Sequence, residues 1–231
     1  MAIFFIYAGS KAIQYMNNYS SAAKANLSEN TVVKSVADSI NLQVPFITQA
    51  PFMLWKTYPF ETTCEETCAL MMHYYLSGIK TVDENITKQE ILSIVDFENK
   101  TYGFSDDTNA AETARFIRDY YKYDAQVYYN ISIDDIKREL NEGNPVIVPT
   151  AGRLLFNPNF TPPGPISHEI LIKGYDSEGF ITNDPGTYRT GADKKYSYKI
   201  LENALHNLDH ATKNADGPSA MIVVTLPKTA K

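Results

Sequence analysis

The segment SHEILIKGYDSEGFITND, residues 167–184, restricts the fold of this chain more than any other. Two apolar runs, 167–175 and 180–184, flank a turn at Ser177 and Glu178, the pattern of an antiparallel hairpin. A hairpin returns the end of its second strand to the start of its first. His168 and Asp184 are therefore expected at the same edge of a sheet. Pro185 and Gly186 stop the second strand and leave Asp184 at its tip.

The other elements follow from periodicity and breakers. Residues 126–129, 145–149 and 219–226 read as strands, and 41–48 as a short strand that Pro45 confines to an edge. Helices are expected from Cys64 to about Leu76, ended by Gly78, and over 88–95, 108–121 and 198–208. Another covers 132–141, opened by a capping box of Ser132 and Asp135. In the first of these, Ala69, Met72, His73 and Leu76 share a stripe that reads as core, so His73 is expected to pack rather than react. Helices come mainly before the antiparallel strands, which makes the fold class α+β. The loop 150–165, rich in proline, is too long for a simple connection and is expected to line a site.

With 231 residues, 44% of them hydrophobic, the chain has material for one sizeable core. The formal charge of -6 comes without a basic cluster, which argues against a nucleic-acid partner. The two cysteines, Cys64 and Cys68, lie one helical turn apart, in poor geometry for a disulfide, and read as free thiols. No HExxH or CxxC pair occurs, and no metal or cofactor is implied. Residues 1–40 form a separate stretch: the apolar run 2–8 is far short of the roughly 20 residues of a span. It reads as the stub of a membrane tether or as the start of a helix, and 17–30 as a linker or loose helix.

Chemistry concentrates at TCEETCALMMHYY, residues 63–75. Thr63 is a candidate helix cap, which puts Cys64 where N–H groups and the helix dipole favour an anion and hence a thiolate. Glu65 and Glu66 oppose that effect, so a base is required. His168 can take the thiol proton, Asp184 can orient the imidazole and stabilise its charge, and Gln49 is the upstream amide that can donate to an oxyanion. Taken singly, each has an ordinary alternative: a packed thiol, a strand-edge histidine, a turn aspartate, a polar loop residue. Cys68, one turn deeper in an apolar helix, is expected to be shielded and inert.

The motifs VPFITQAP, TCEETCALMM, SHEILIKGYD and FITNDPG, in that order, resemble those of family 39 cysteine peptidases, especially the bacterial C39-like branch. The resemblance implies a papain-like fold over residues 41–227. It also implies peptide-bond hydrolysis with Cys64 as nucleophile, His168 as base, Asp184 as orienting acid and Gln49 as oxyanion donor. A peptide or protein is the implied substrate, for a monomer outside the cytoplasm or at a membrane, with a cytoplasmic location as the alternative. The better-known relatives cleave leaders after a double glycine. This chain departs from them by the insert PFMLWKTYPFETT between Gln49 and Cys64, and by Thr63 and Glu65 where glycine is usual. Two other readings stay open: a silent peptide- or envelope-binding module on the same fold, and an amidase or acyl transferase using the same triad.

Overall fold

A computed structural model describes residues 37–227. The expectations for 2–8 and 17–30 lie outside those residues. Strands β1 (Ile40–Asn41), β2 (Asp124–Tyr129), β3 (Val146–Ala151), β4 (Ser167–Tyr175), β5 (Gly179–Asn183), β6 (Lys194–Ser197) and β9 (Ala220–Thr225) form one antiparallel sheet, in the order β2-β9-β3-β4-β5-β6. β1 adds to the far end of β4, and β7 (Leu208–Asp209) pairs separately with β8 (Asn214–Ala215). The helices are α1 (Cys64–Leu76), α2 (Glu84–Tyr102), α3 (Ala110–Phe116), α4 (Ile133–Asn141) and α5 (Tyr198–Ala204).

All nine residues of β4 are buried because helices cover both faces of the sheet. Leu171, Ile147 and Ile222 pack with residues of α1, α2 and α3, including Met71, Ile94 and Ala114. Ile170, Ile172 and Val148 pack on the opposite side with Ile136 of α4 and Leu201 of α5. The class is α+β, as expected, and the sheet is a filling between two helical layers. Each large aliphatic side chain moved from water into such a core contributes about 1.5–3 kcal/mol.

α1 lies inside this arrangement. Every residue from Cys64 to Met72 is buried, so the helix is enclosed all round instead of burying one stripe. His73 is half-buried, stacked on the Tyr121 ring at 4.6 Å and hydrogen-bonded through Nδ1 to the Tyr123 hydroxyl at 2.8 Å, a packing role. α2 runs well past the expected 88–95 at both ends. Asp83 caps it by accepting from the N–H groups of Asn85 and Ile86, and Gly103, with φ of 85°, ends it. α3 stops at Phe116, and the expected remainder to Tyr121 forms a wider π turn. The capping box of Ser132 with Asp135 is present.

Two expectations fail. The segment 41–48 is not a strand beyond Asn41; its backbone carbonyls at Val44 and Pro45 accept from Asn183 Nδ2 at 3.1 and 3.2 Å, which holds it across the end of β5. α5 ends at Ala204, not near residue 208, since Leu208 pairs with Ala215. Among the described residues, no helix is long and apolar enough to cross a membrane.

Candidate active site

The hairpin β4–β5 does what its sequence predicts. His168 near the start of β4 and Asp184 just past the end of β5 meet, with His168 Nε2 2.7 Å from Asp184 Oδ1. Asp184 is fully buried and both of its oxygens are occupied. Oδ1 also accepts from the Gly186 N–H at 3.0 Å, while Oδ2 accepts from the Tyr196 hydroxyl at 2.6 Å and from Asn157 Nδ2 at 2.9 Å. Burial alone would raise this carboxyl. The His168 imidazole and the donors from Tyr196 and Gly186 outweigh it and hold the carboxyl below its ordinary range. Asp184 is therefore an anion at neutral pH.

The imidazole is fixed on its other sides too. The Phe160 ring meets it edge-on, with centroids 5.2 Å apart. A Cβ at residue 186 would come within 2.7 Å of His168 Cε1, so glycine there is a steric requirement. The Thr150 hydroxyl donates to the His168 carbonyl at 2.7 Å, tying β4 to β3. With Nε2 committed to Asp184, Nδ1 is the nitrogen left for a substrate or a nucleophile, and among the described residues it makes no hydrogen bond.

Cys64 begins α1, as expected, but Thr63 does not cap with its side chain; its hydroxyl donates to the Gln49 carbonyl at 3.2 Å. The Cys64 thiol donates to Glu65 Oε2 at 3.0 Å and accepts from the Glu169 N–H at 3.4 Å. Cys64 and His168 line the same cleft but share no hydrogen bond. Burial pushes the thiol well above its usual range, and the Glu65 carboxyl adds to this while the Glu169 N–H works the other way. In this conformation the sulfur is a protonated thiol. Cys68 is fully buried, consistent with an inert thiol.

Gln49 also lines the cleft, and its backbone ties three parts together: its N–H donates to the Pro185 carbonyl and its carbonyl accepts from Thr63. Its side-chain amide, expected to offer a free N–H, instead donates to the carbonyls of Phe60 at 3.1 Å and Glu61 at 3.3 Å, both within the insert. The cleft has a volume of about 840 Å³. Its walls mix aromatic groups such as Trp55 and Tyr188 with both signs of charge, Lys56 and Arg189 against Glu61 and Asp107.

Sequence reasoning missed Asn157 and Tyr196, which complete the shell of Asp184. Asn157 sits in the proline-rich loop whose length does signal a site; nothing local marks Tyr196. It also missed that the acids beside Cys64 are interior. Glu65, Glu66, Glu98 and Glu169 are each at most 1% exposed. Burial lifts Glu98 and Glu169 to about 8, and raises Glu65 and Glu66 well above their ordinary range. No group of three or more His, Cys, Asp or Glu side chains among the described residues has the geometry of a metal site.

A cysteine opening a buried helix, packed against an antiparallel sheet whose neighbouring strands carry a histidine and an acid, defines a cysteine-peptidase-like fold. A family model described as the Peptidase_C39 like family matches residues 41–211, and the chain belongs to that family. Among solved structures it is similar to that of a candidate C39-like peptidase from Bacillus anthracis. The identity is 21% and the TM-score 0.52, over 83% of this chain and all of the other. No curated protein matches the chain.

Proposed function

We propose that the domain is a cysteine peptidase that hydrolyses peptide bonds by acyl transfer. The observation that carries the reading is the buried His168–Asp184 pair, fully satisfied on the acid side and unoccupied at Nδ1, lining one cleft with the thiol at the start of α1. Cys64 passes its proton to His168 Nδ1 and attacks the amide carbonyl. Asp184 stabilises the imidazolium, which then protonates the leaving amine, and water releases the acyl group with His168 as base. The S–H turns from Glu65 towards His168 Nδ1, and the sulfur keeps its contact with Glu65. Gln49 donates to the oxyanion by giving up its longer bond, to the Glu61 carbonyl at 3.3 Å. An extended peptide fits a cleft of this size and mixed lining.

A thiol-reactive peptide electrophile tests the reading. Labelling should vanish in Cys64→Ala and persist in Cys68→Ala; equal labelling of Cys64→Ala would sink the assignment. One observation favours a second reading, a binding module with no turnover: the resting thiol is bonded to Glu65 and not to His168. Under that reading Cys64 alkylates with an ordinary midpoint near about 8.5 or higher, and His168→Ala leaves it unchanged.

A further inference from the structure

The acid directly after the nucleophile is the least expected neighbour of a thiolate. Glu65 is 1% exposed, and its Oε2 lies 3.0 Å from Cys64 Sγ. Its other oxygen, Oε1, is buried without a hydrogen-bond partner among the described residues. An ionised carboxylate in that position would have only the Cys64 thiol and its own backbone N–H to set against burial and the neighbouring carboxyls, and would stand beside a second charge as soon as the thiol ionises. A neutral carboxyl has the opposite effect, because it brings an O–H to the sulfur.

We propose that Glu65 is a further catalytic residue, a neutral carboxylic acid whose O–H donates to the Cys64 sulfur and stabilises the thiolate. This deepens the cysteine-peptidase reading and rests on it. In the resting thiol, S–H donates to the carboxyl. When that proton moves to His168 Nδ1, the Glu65 proton takes over the contact, so the sulfur exchanges one hydrogen bond for a stronger one to its charged form. Glu65 keeps its own proton throughout, and no other proton is gained or lost.

The surroundings keep that proton in place. Burial acts first, then the carboxyls of Glu169 from β4 and Asp107 from the loop before α3. On its own helix Glu65 adjoins Cys64 and Glu66, and Glu66 in turn faces Glu98 of α2. The charges of opposite sign act on the outer members of the set: Arg115 of α3 lowers Glu98, and His210 lowers Asp107. From the sheet, His168 and the Asp184 anion complete the surroundings of the two cysteines. Carboxyls that raise one another thus insulate the nucleophile from the negative charge that the sequence TCEET suggests.

The experiment is the pH dependence of Cys64 carbamidomethylation by iodoacetamide, followed by mass spectrometry on the full chain and on Glu65→Gln, Glu65→Ala and His168→Ala. Glu65→Gln keeps a donor that cannot ionise. It should hold the wild-type midpoint of thiolate formation and lose the fall in reactivity that ionisation of Glu65 causes at alkaline pH. Glu65→Ala should move the midpoint up by about one pH unit, the equivalent of one lost hydrogen bond to a charged group. A midpoint that drops in both Glu65 variants shows that Glu65 is an anion and overturns the proposal while leaving the peptidase reading intact. A wild-type midpoint that His168→Ala does not move removes the peptidase reading, and the proposal with it. The wild type alone gives a second readout: alkylation of Cys64 should shift an infrared C=O band of a protonated carboxyl, and no shift would also overturn the role.

Discussion

The two halves of the candidate site are built on opposite electrostatic plans. On the sheet side, Asp184 is an interior anion whose oxygens accept from His168, Gly186, Tyr196 and Asn157. On the helix side, Glu65, Glu66, Glu98 and Glu169 are interior carboxyls with few donors, and burial raises all four above their ordinary range. The difference lies not in burial, which is nearly complete in both, but in the supply of N–H and O–H donors. One half has its polar atoms paired around Asp184; the other rests with its thiol turned to Glu65 and its amide turned to the insert.

Several substitutions would break this contrast, beginning with the largest effect. Removing the base with His168→Ala should lower kcat/KM for any peptide substrate by about a thousandfold or more, and Cys64→Ala should do the same. Asp184→Ala strips the sheet side of its anion and leaves His168, Tyr196 and Asn157 unanswered. Denaturant unfolding should show a loss of about 3–5 kcal/mol. Gly186→Ala pushes a methyl group against His168 Cε1, so kcat should fall by about tenfold or more while stability drops by about 1–3 kcal/mol. Tyr196→Phe removes one of the four donors to Asp184. It should cost about 1.5–3 kcal/mol in stability, as for a hydrogen bond to a charged group, and raise the pH at which acid unfolding begins.

The contrast also predicts opposite pH slopes. The Asp184 carboxyl is depressed in the folded state, so its contribution is present at neutral pH and is lost as pH falls through that lowered value. Glu98 and Glu169 are raised from 4.5 to about 8, so their contribution is complete below about 4.5 and is lost as pH rises toward about 8. Thermal unfolding across this range should show stability declining from weakly acid to weakly alkaline pH. Glu98→Gln and Glu169→Gln should flatten that decline, and an unchanged slope would mean the carboxyls are already ionised.

What the sequence showed of this site divides along the same line. The His168–Asp184 contact was legible because the two-residue period and a short turn fix which residues of a hairpin meet. The capping box of α4 was legible because caps are local, while α1 starts at Cys64 as expected although Thr63 does not cap it. The neutrality of Glu65 was not, since two acids in a first turn ordinarily complement a helix dipole in water, and only the enclosure of α1 by both α2 and the sheet changes their charge. α2 was read too short because its polar ends, Glu84 and Asn99 among them, hide the helix period. Gln49 lines the cleft, but its side-chain partners belong to the insert, where periodicity carries no information.

The backbone of Gln49 has a consequence for how this site can diversify. Its N–H holds the Pro185 carbonyl and its carbonyl holds the Thr63 hydroxyl, so the two ends of the insert are clasped to each other and to the segment bearing Asp184. The insert is in effect a closed loop, its neck secured independently of its circumference. Residues such as Trp55 and Lys56 can then change, and the loop can lengthen or shorten before Phe60, without releasing the backbone of Gln49 from Pro185 and Thr63. In such a design the clasped floor of the cleft and the wall above it are separately heritable.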